Sequence, residues 1–240
     1  MKLSDFTTLT FDCYGTLIDW EAGILAALRP WLVGAGVKAS DDELLENYGA
    51  CEHEVETRMP GAPYPVILAH THEALGGRFG AASELADRDA FGASVRDWPA
   101  FPDSAEALKY LKEYFNLVIL SNIDKASFAQ SEKRLGVKFD AVYTAEDIGS
   151  YKPDPKNFHY MLTHLEAGLG VAPADVLHVA QSLFHDHVPA QAIGLKTCWI
   201  DRRAGKQGAG ATPIPDGDIE YDLRFTSMGE LAHAHMKEQA

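Results

Sequence analysis

The chain has 240 residues, 46% hydrophobic and 23% charged. That length supports a core without disulfide or metal staples, and it allows one large domain or a domain carrying an insertion. With 35 acidic residues against 21 basic ones the net charge is −14, which argues against nucleic-acid binding through phosphate contacts and disfavours an anionic membrane surface.

Cys13, Cys51 and Cys198 form neither a disulfide framework nor a paired zinc spacing. The first residues lack the apolar stretch of a signal peptide, and no apolar run approaches the roughly 20 residues that span a bilayer. The expectation is a reduced, cytoplasmic protein with no nucleic-acid or membrane partner.

Thr8–Phe11 reads as a buried strand ending at Asp12. From Ile18 to Trp98 no strand is visible. Ser40 with Glu43 forms a capping box, and Pro65–Leu68 leads into a helix expected to stop at Gly76–Gly77. Trp98–Pro102 reads as the hinge back, so residues 18–98 are expected to form a helical insertion between 1–17 and 99–240. Asp103 with Glu106 is a second capping box. Leu117–Leu120 is the next strand, ending at Ser121, and Asp124 caps a helix that Gly136 stops. Ala141–Thr144 is a third strand, followed by Lys152-Pro153-Asp154-Pro155 and a helix. Val176–Ala180 is a fourth, Asp186 opens a helix running to Gly194, and Thr197–Ile200 is a fifth. Gly205–Gly217 reads as a mobile surface loop. Strands alternating with helices predict a Rossmann-like, three-layer α/β core around a parallel sheet.

Ligands of open α/β sheets bind beyond the carboxyl ends of the strands. Asp12, Ser121, Asn122, Lys152, Gln181 and Asp186 fall there and are expected to converge. Cys13, beside Asp12, points the other way by strand alternation and is expected to be buried. His70/His72 and His233/His235 are two apart on helices, share no face, and are expected to be solvated rather than metal-binding.

The string Phe11-Asp12-Cys13-Tyr14-Gly15-Thr16-Leu17 resembles the first motif of the haloacid dehalogenase (HAD) superfamily. Ser121-Asn122 resembles its second motif, Lys152-Pro153-Asp154-Pro155 its third, and Gln181 to Asp186 a modified fourth. Tyr14, two residues after Asp12, makes the L-2-haloacid dehalogenase subgroup the closest in pattern. The resemblance implies a HAD-like core with a helical cap and a hydrolytic dehalogenase. Its substrate would be a small 2-haloacid, attacked by Asp12 and released by water from an aspartyl ester. It is also compatible with a homodimer.

In that reading Lys152 keeps Asp12 ionised, Thr16 orients it, and Ser121 and Asn122 donate hydrogen bonds to substrate or halide. Asp186 positions water or Lys152, or else caps its helix. Gln181 and Tyr14 contact substrate, His185 relays a proton, and backbone N–H groups from Cys13 to Gly15 cradle negative charge. The family's cap arginine has no counterpart between Glu43 and His53; Asn47, Tyr48, His53 and Arg58 are the candidate replacements, among which the sequence does not choose, and Tyr48 is a candidate substrate contact. The competing readings are a Mg²⁺-dependent phosphohydrolase and a binding protein that has lost turnover. Phosphatases of the superfamily usually carry an aspartate where Tyr14 stands and an acidic residue where Gln181 stands, so no metal or other cofactor is expected.

Overall fold

The computed structural model describes residues 1–206 and 208–240. The strands are β1 (Thr8–Phe11), β2 (Asn116–Ser121), β3 (Ala141–Thr144), β4 (Val176–Ala180), β5 (Lys196–Ile200) and β6 (Leu223–Phe225). They make one sheet in the order β3-β2-β1-β4-β5-β6, parallel throughout. β1 lies at the centre, with Phe11 level with Ile119 on one side and Val179 on the other. Every residue of β1 and β4 is buried, Thr8, Thr10 and His178 included, as expected of strands covered by helices on both faces. β6 was not expected from the sequence: three residues, one of them the exposed Arg224, carry no strand signature.

After β1 the chain runs through α1 (Trp20–Gly34), α2 (Asp41–Arg58), α3 (Tyr64–Phe79) and α4 (Leu85–Gly92) before it returns to the sheet region. Ser40 caps α2 by accepting from Glu43 N–H at 3.1 Å. α3 passes through Gly76–Gly77 and ends at the left-handed Gly80. A side chain at Gly76 would meet the Ala81 carbonyl at 2.8 Å, so the first glycine permits a close approach rather than a stop. The chain leaves and re-enters the sheet region along paired segments. Ile18 bridges Ala100, Asp19 N–H donates to Pro99 O at 2.8 Å, and Phe101 N–H donates to Leu17 O at 3.0 Å.

The remaining helices are α5 (Ser104–Leu111), α6 (Lys125–Leu135), α7 (Ala145–Ile148), α8 (Lys156–Leu169), α9 (Val188–Ala192) and α10 (Met228–Gln239). The expected box at α5 does not form. Asp103 has helical dihedrals, and its carboxylate instead accepts from Arg202 Nη1 at 2.8 Å and from Gly229 N–H at 3.0 Å. Asp124 and Gly136 bound α6 as expected, the former accepting from Ser127 N–H at 2.9 Å.

His72 and His235 are buried, whereas His70 is partly exposed and His233 exposed; the members of each pair share no face, but the expectation of solvation fails for two rings. His72 sits against Trp31 at 4.1 Å and bonds Ser83 Oγ; His235 sits against Phe115 at 4.7 Å and bonds the Tyr110 hydroxyl. The segment 205–217 is likewise more than surface. Gln207 lies outside the described residues, but Ala211 and Thr212 are buried. A Cβ at Gly49 of α2 would come within 2.1 Å of the Ala211 carbonyl, so that glycine lets the segment dock on the helix. Among the described residues no helix is long and apolar enough to cross a membrane.

Candidate active site

The carboxyl ends of β1, β2 and β4 deliver Asp12, Ser121-Asn122 and Gln181-Ser182 to one edge of the sheet. After Asp12 the chain turns back sharply, with Leu17 and Ile18 N–H both donating to Cys13 O. Gly15 makes the turn at φ +93°, a conformation that disfavours any side chain. Its N–H donates to Ile18 O at 2.8 Å, so it has no part in the expected anion cradle. Cys13 is fully buried in the apolar core, as alternation requires, and burial pushes its thiol pKa up.

Lys152 reaches back under this turn and is 2% exposed. Its ammonium donates to Asp12 Oδ1 at 3.0 Å, Asp186 Oδ1 at 2.7 Å and Leu120 O at 3.0 Å. Three donors meet three acceptors, so the buried cation is fully satisfied. Thr16 Oγ1 donates to Asp12 Oδ2 at 2.7 Å and accepts from Gln181 N–H at 2.9 Å. Asn122 holds the Lys152 backbone at both ends, accepting from its N–H at 2.7 Å and donating to its O at 3.0 Å. Its amide nitrogen also reaches Glu56 Oε1 at 3.5 Å, and the residue lines the cavity beside Asp12. Ser121 Oγ is buried with no protein partner and lines the cavity beside Asp12.

Asp186 does not cap a helix. Residues Leu183–His187 form a π-helical turn whose cap is Ser182, accepting from His185 N–H at 2.9 Å. That turn aims Asp186 inward at Lys152. His178 of β4 bonds the same Oδ1 through Nε2 at 2.9 Å and meets Thr10 Oγ1 through Nδ1 at 2.9 Å. Because a carboxylate only accepts, Nε2 carries the proton. His178 was not expected at the site: within Val-Leu-His-Val-Ala it reads as one buried strand position among others.

Burial raises the pKa of Asp12, and the Asp186 charge adds to it; the Lys152 ammonium and the Thr16 hydroxyl oppose the rise without cancelling it. Burial would also raise Asp186, but Lys152 and His178 outweigh it and hold that carboxyl well below its ordinary value. Each acid has a second donor, Thr16 for Asp12 and His178 for Asp186, but Asp186 has the shorter lysine contact, 2.7 Å against 3.0 Å. Burial disfavours the Lys152 ammonium, yet its two carboxylates raise its pKa overall. Tyr14 is driven up by burial, and its hydroxyl turns away to Ser131 Oγ at 2.8 Å.

The cavity above Asp12 has a volume of about 40 Å³. α2 supplies its roof through Glu52 and Glu56, with Tyr64 from α3 beside them. Tyr48 is not in the wall; it lies behind Glu52, and its hydroxyl donates to Glu52 Oε1 at 2.5 Å, as does that of Tyr64. Burial lifts the Glu52 carboxyl to about 7 and the Glu56 carboxyl well above its ordinary value. Asn47 and Arg58 lie on the outer part of α2, whereas His53 faces His185, ring centroids 6.4 Å apart. Among the described residues no arginine lines the cavity. Gln181 Oε1 accepts from Thr212 Oγ1 at 3.0 Å, so Thr212 closes one wall. Tyr48, Glu52 and Glu56 recur every four residues, a readable helical stripe; Thr212 had no such signal.

A family model for haloacid dehalogenase-like hydrolases matches residues 6–183. The chain belongs to the haloacid dehalogenase-like hydrolases. An (S)-2-haloacid dehalogenase of Burkholderia cepacia is 30% identical over 201 residues, covering 80% of this chain and 82% of that protein. The L-2-haloacid dehalogenase of Xanthobacter autotrophicus superposes with a TM-score of 0.75 at 20% identity, covering 98% and 100% of the two chains. A magnesium-bound HAD-hydrolase of Bacillus subtilis, YfnB, superposes with a TM-score of 0.73 at 18% identity, covering 96% and 99%. At those identities the two structures establish the HAD-like fold, as the parallel sheet with flanking helices requires. For a HAD-like hydrolase the arrangement offers one oriented carboxylate, Asp12, against a saturated buried cation and a small cavity.

Proposed function

We propose that the protein is a hydrolytic dehalogenase of small 2-haloacids that works through an aspartyl ester on Asp12. Residues 18–98 act as the cap over a core of 1–17 and 99–240. A carboxylate oxygen of Asp12 attacks the halogen-bearing carbon, a C–O bond forms, and the C–X bond breaks with its electron pair leaving as halide. Water then adds to the Asp12 carbonyl carbon and the acyl C–O bond breaks. Asp12 is restored, the hydroxy acid leaves, and the net products are hydroxy acid and HX. Lys152 and Thr16 hold the nucleophile in line, and Asp186 with His178 holds Lys152. Ser121 Oγ, lacking a protein partner, serves substrate or halide. A cavity of about 40 Å³ favours a short substrate.

The observation that carries this reading is the pairing of an oriented carboxylate with a phenol that cannot act as its acid. Tyr14 is bonded to Ser131, and burial pushes its pKa above the ordinary phenol value. A leaving alkoxide needs a proton from that position; a leaving halide does not. The residues also fit Mg²⁺ poorly at Asp12. Asp12 and Asp186 share the Lys152 ammonium, and Gln181 brings a neutral oxygen already accepting from Thr212. Mg²⁺ prefers a near-octahedral set of charged, hard oxygens, so we assign it no step.

One turnover in ¹⁸O-water with enzyme in excess tests the ester. The first equivalent of hydroxy acid is expected to carry unlabelled oxygen from the enzyme, and the peptide containing Asp12 to gain one heavy oxygen. Label appearing in the product at the first turnover overturns the reading, because water would then have attacked the carbon directly.

A further inference from the structure

We propose that His53, Glu56 and His185 bind a divalent transition-metal cation of the zinc class, bridging α2 to the turn after β4. Each residue offers one ligand atom, and the three atoms lie within 4.8 Å of one another. Tetrahedral ligands at the 2.0–2.1 Å bond lengths of zinc lie about 3.4 Å apart. Small side-chain rotations therefore close the set, and His53, partly exposed, is free to make one.

Several observations converge on a cation at this position. His185 Nε2 is buried with no hydrogen-bond partner, while Nδ1 is held by Ser182 Oγ at 3.2 Å. One nitrogen fixed by an outer hydrogen bond and the other left bare is how a metal-binding imidazole is oriented. Glu56 is only 5% exposed, and its one direct hydrogen bond is a long 3.5 Å contact from Asn122 Nδ2. Among the described residues neither Glu52 nor Glu56 makes an ion pair within 4.0 Å. Lys152, the nearby cation, is saturated by Asp12, Asp186 and Leu120. Two imidazoles and one carboxylate select a zinc-like ion over Mg²⁺ and leave a coordination position open. Glu56 and His185 also line the cavity above Asp12. If the dehalogenase reading holds, the ion supplies the positive charge for a substrate carboxylate that no arginine provides.

Calorimetric titration of chelator-treated, dialysed protein with Zn²⁺ is expected to give one equivalent per chain. Co²⁺ is expected to give the visible absorption of a four- or five-coordinate site. His53→Ala and Glu56→Gln should each weaken binding at least tenfold, whereas His70→Ala, on the exposed side of α3, should not. Zinc-soaked crystals should show an anomalous peak between the three side chains. His53→Ala is expected to melt as the metal-free wild type does; if it does not, the near-isosteric Glu56→Gln carries the comparison. Substoichiometric binding, affinity unchanged in both variants, or a peak located instead at Asp12 overturns the proposal. Each test reads metal rather than turnover, so it stands apart from the oxygen-labelling experiment. Zinc binding with label in the first product would keep this site and remove the dehalogenase reading, and the reverse pair of results would do the opposite.

Discussion

Asp12→Asn is expected to lower halide release by a factor on the order of 10⁴ or more, the scale of losing a covalent nucleophile. The amide matches the carboxylate in shape: its oxygen can accept from Lys152 Nζ, as Asp12 Oδ1 does at 3.0 Å, while its N–H donates to Thr16 Oγ1, a hydroxyl that can accept as well as donate. What disappears is the negative charge that makes the oxygen nucleophilic. Structure should survive, because Asp186 remains 2.7 Å from Lys152 to neutralise it, and the site holds one buried carboxylate fewer. The checks are single-turnover halide release, a melting curve, and intact mass to detect deamidation back to aspartate. A folded, undeamidated variant within tenfold of wild type would remove Asp12 as the nucleophile.

That prediction rests on a residue the sequence already singles out, and the reason is local. Asp12, Ser121 and Gln181 sit at the ends of strands whose apolar runs are legible, and a parallel sheet brings such ends to one edge. Lys152 is legible through its Pro-rich surroundings. The parts that depend on long-range partners are not. Asp186 followed by a helical pattern reads as a cap as readily as a ligand of Lys152; only the π-helical turn, capped by Ser182, decides. Asp103 misleads in the opposite direction, since Arg202, 99 positions away, takes the carboxylate that would have capped α5. Tyr48 is one of four candidates along α2 for the place of a missing arginine. One helical turn later Glu52 has the cavity instead, with the Tyr48 hydroxyl behind it at 2.5 Å. His178 and Thr212 are invisible for the same reason. Their neighbours in the chain are a buried strand and a glycine-rich loop, and their partners, Asp186 and Gln181, lie elsewhere.

Lys152→Met is expected to damage stability and chemistry together. Removing a buried cation from between two carboxylates typically costs about 3–5 kcal/mol, because Asp12 and Asp186, 9% and 1% exposed in their side chains, are left facing each other. One of them then takes a proton. Asp186 keeps the His178 donor, while burial already raises Asp12, so the proton goes to the nucleophile. Asp12 must be ionised to attack, so activity is present above its pKa and is lost as pH falls through it. Without Lys152 that pKa rises, and the acid limb of kcat/KM should move to higher pH, with a loss on the order of 10³-fold at neutral pH. Stability shifts the same way: the contribution of Asp186, whose pKa is depressed in the fold, is present above its ordinary value of 3.8 and falls away with the lysine. Adding Asp12→Asn to Lys152→Met relieves the repulsion, so the double variant should recover much of the lost stability with none of the activity. That non-additivity is the signature of a coupled pair. Urea denaturation of the two single variants and the double, together with the pH profile of Lys152→Met, measures both effects; additive stabilities with an unmoved acid limb would remove Lys152 from the electrostatics of the nucleophile.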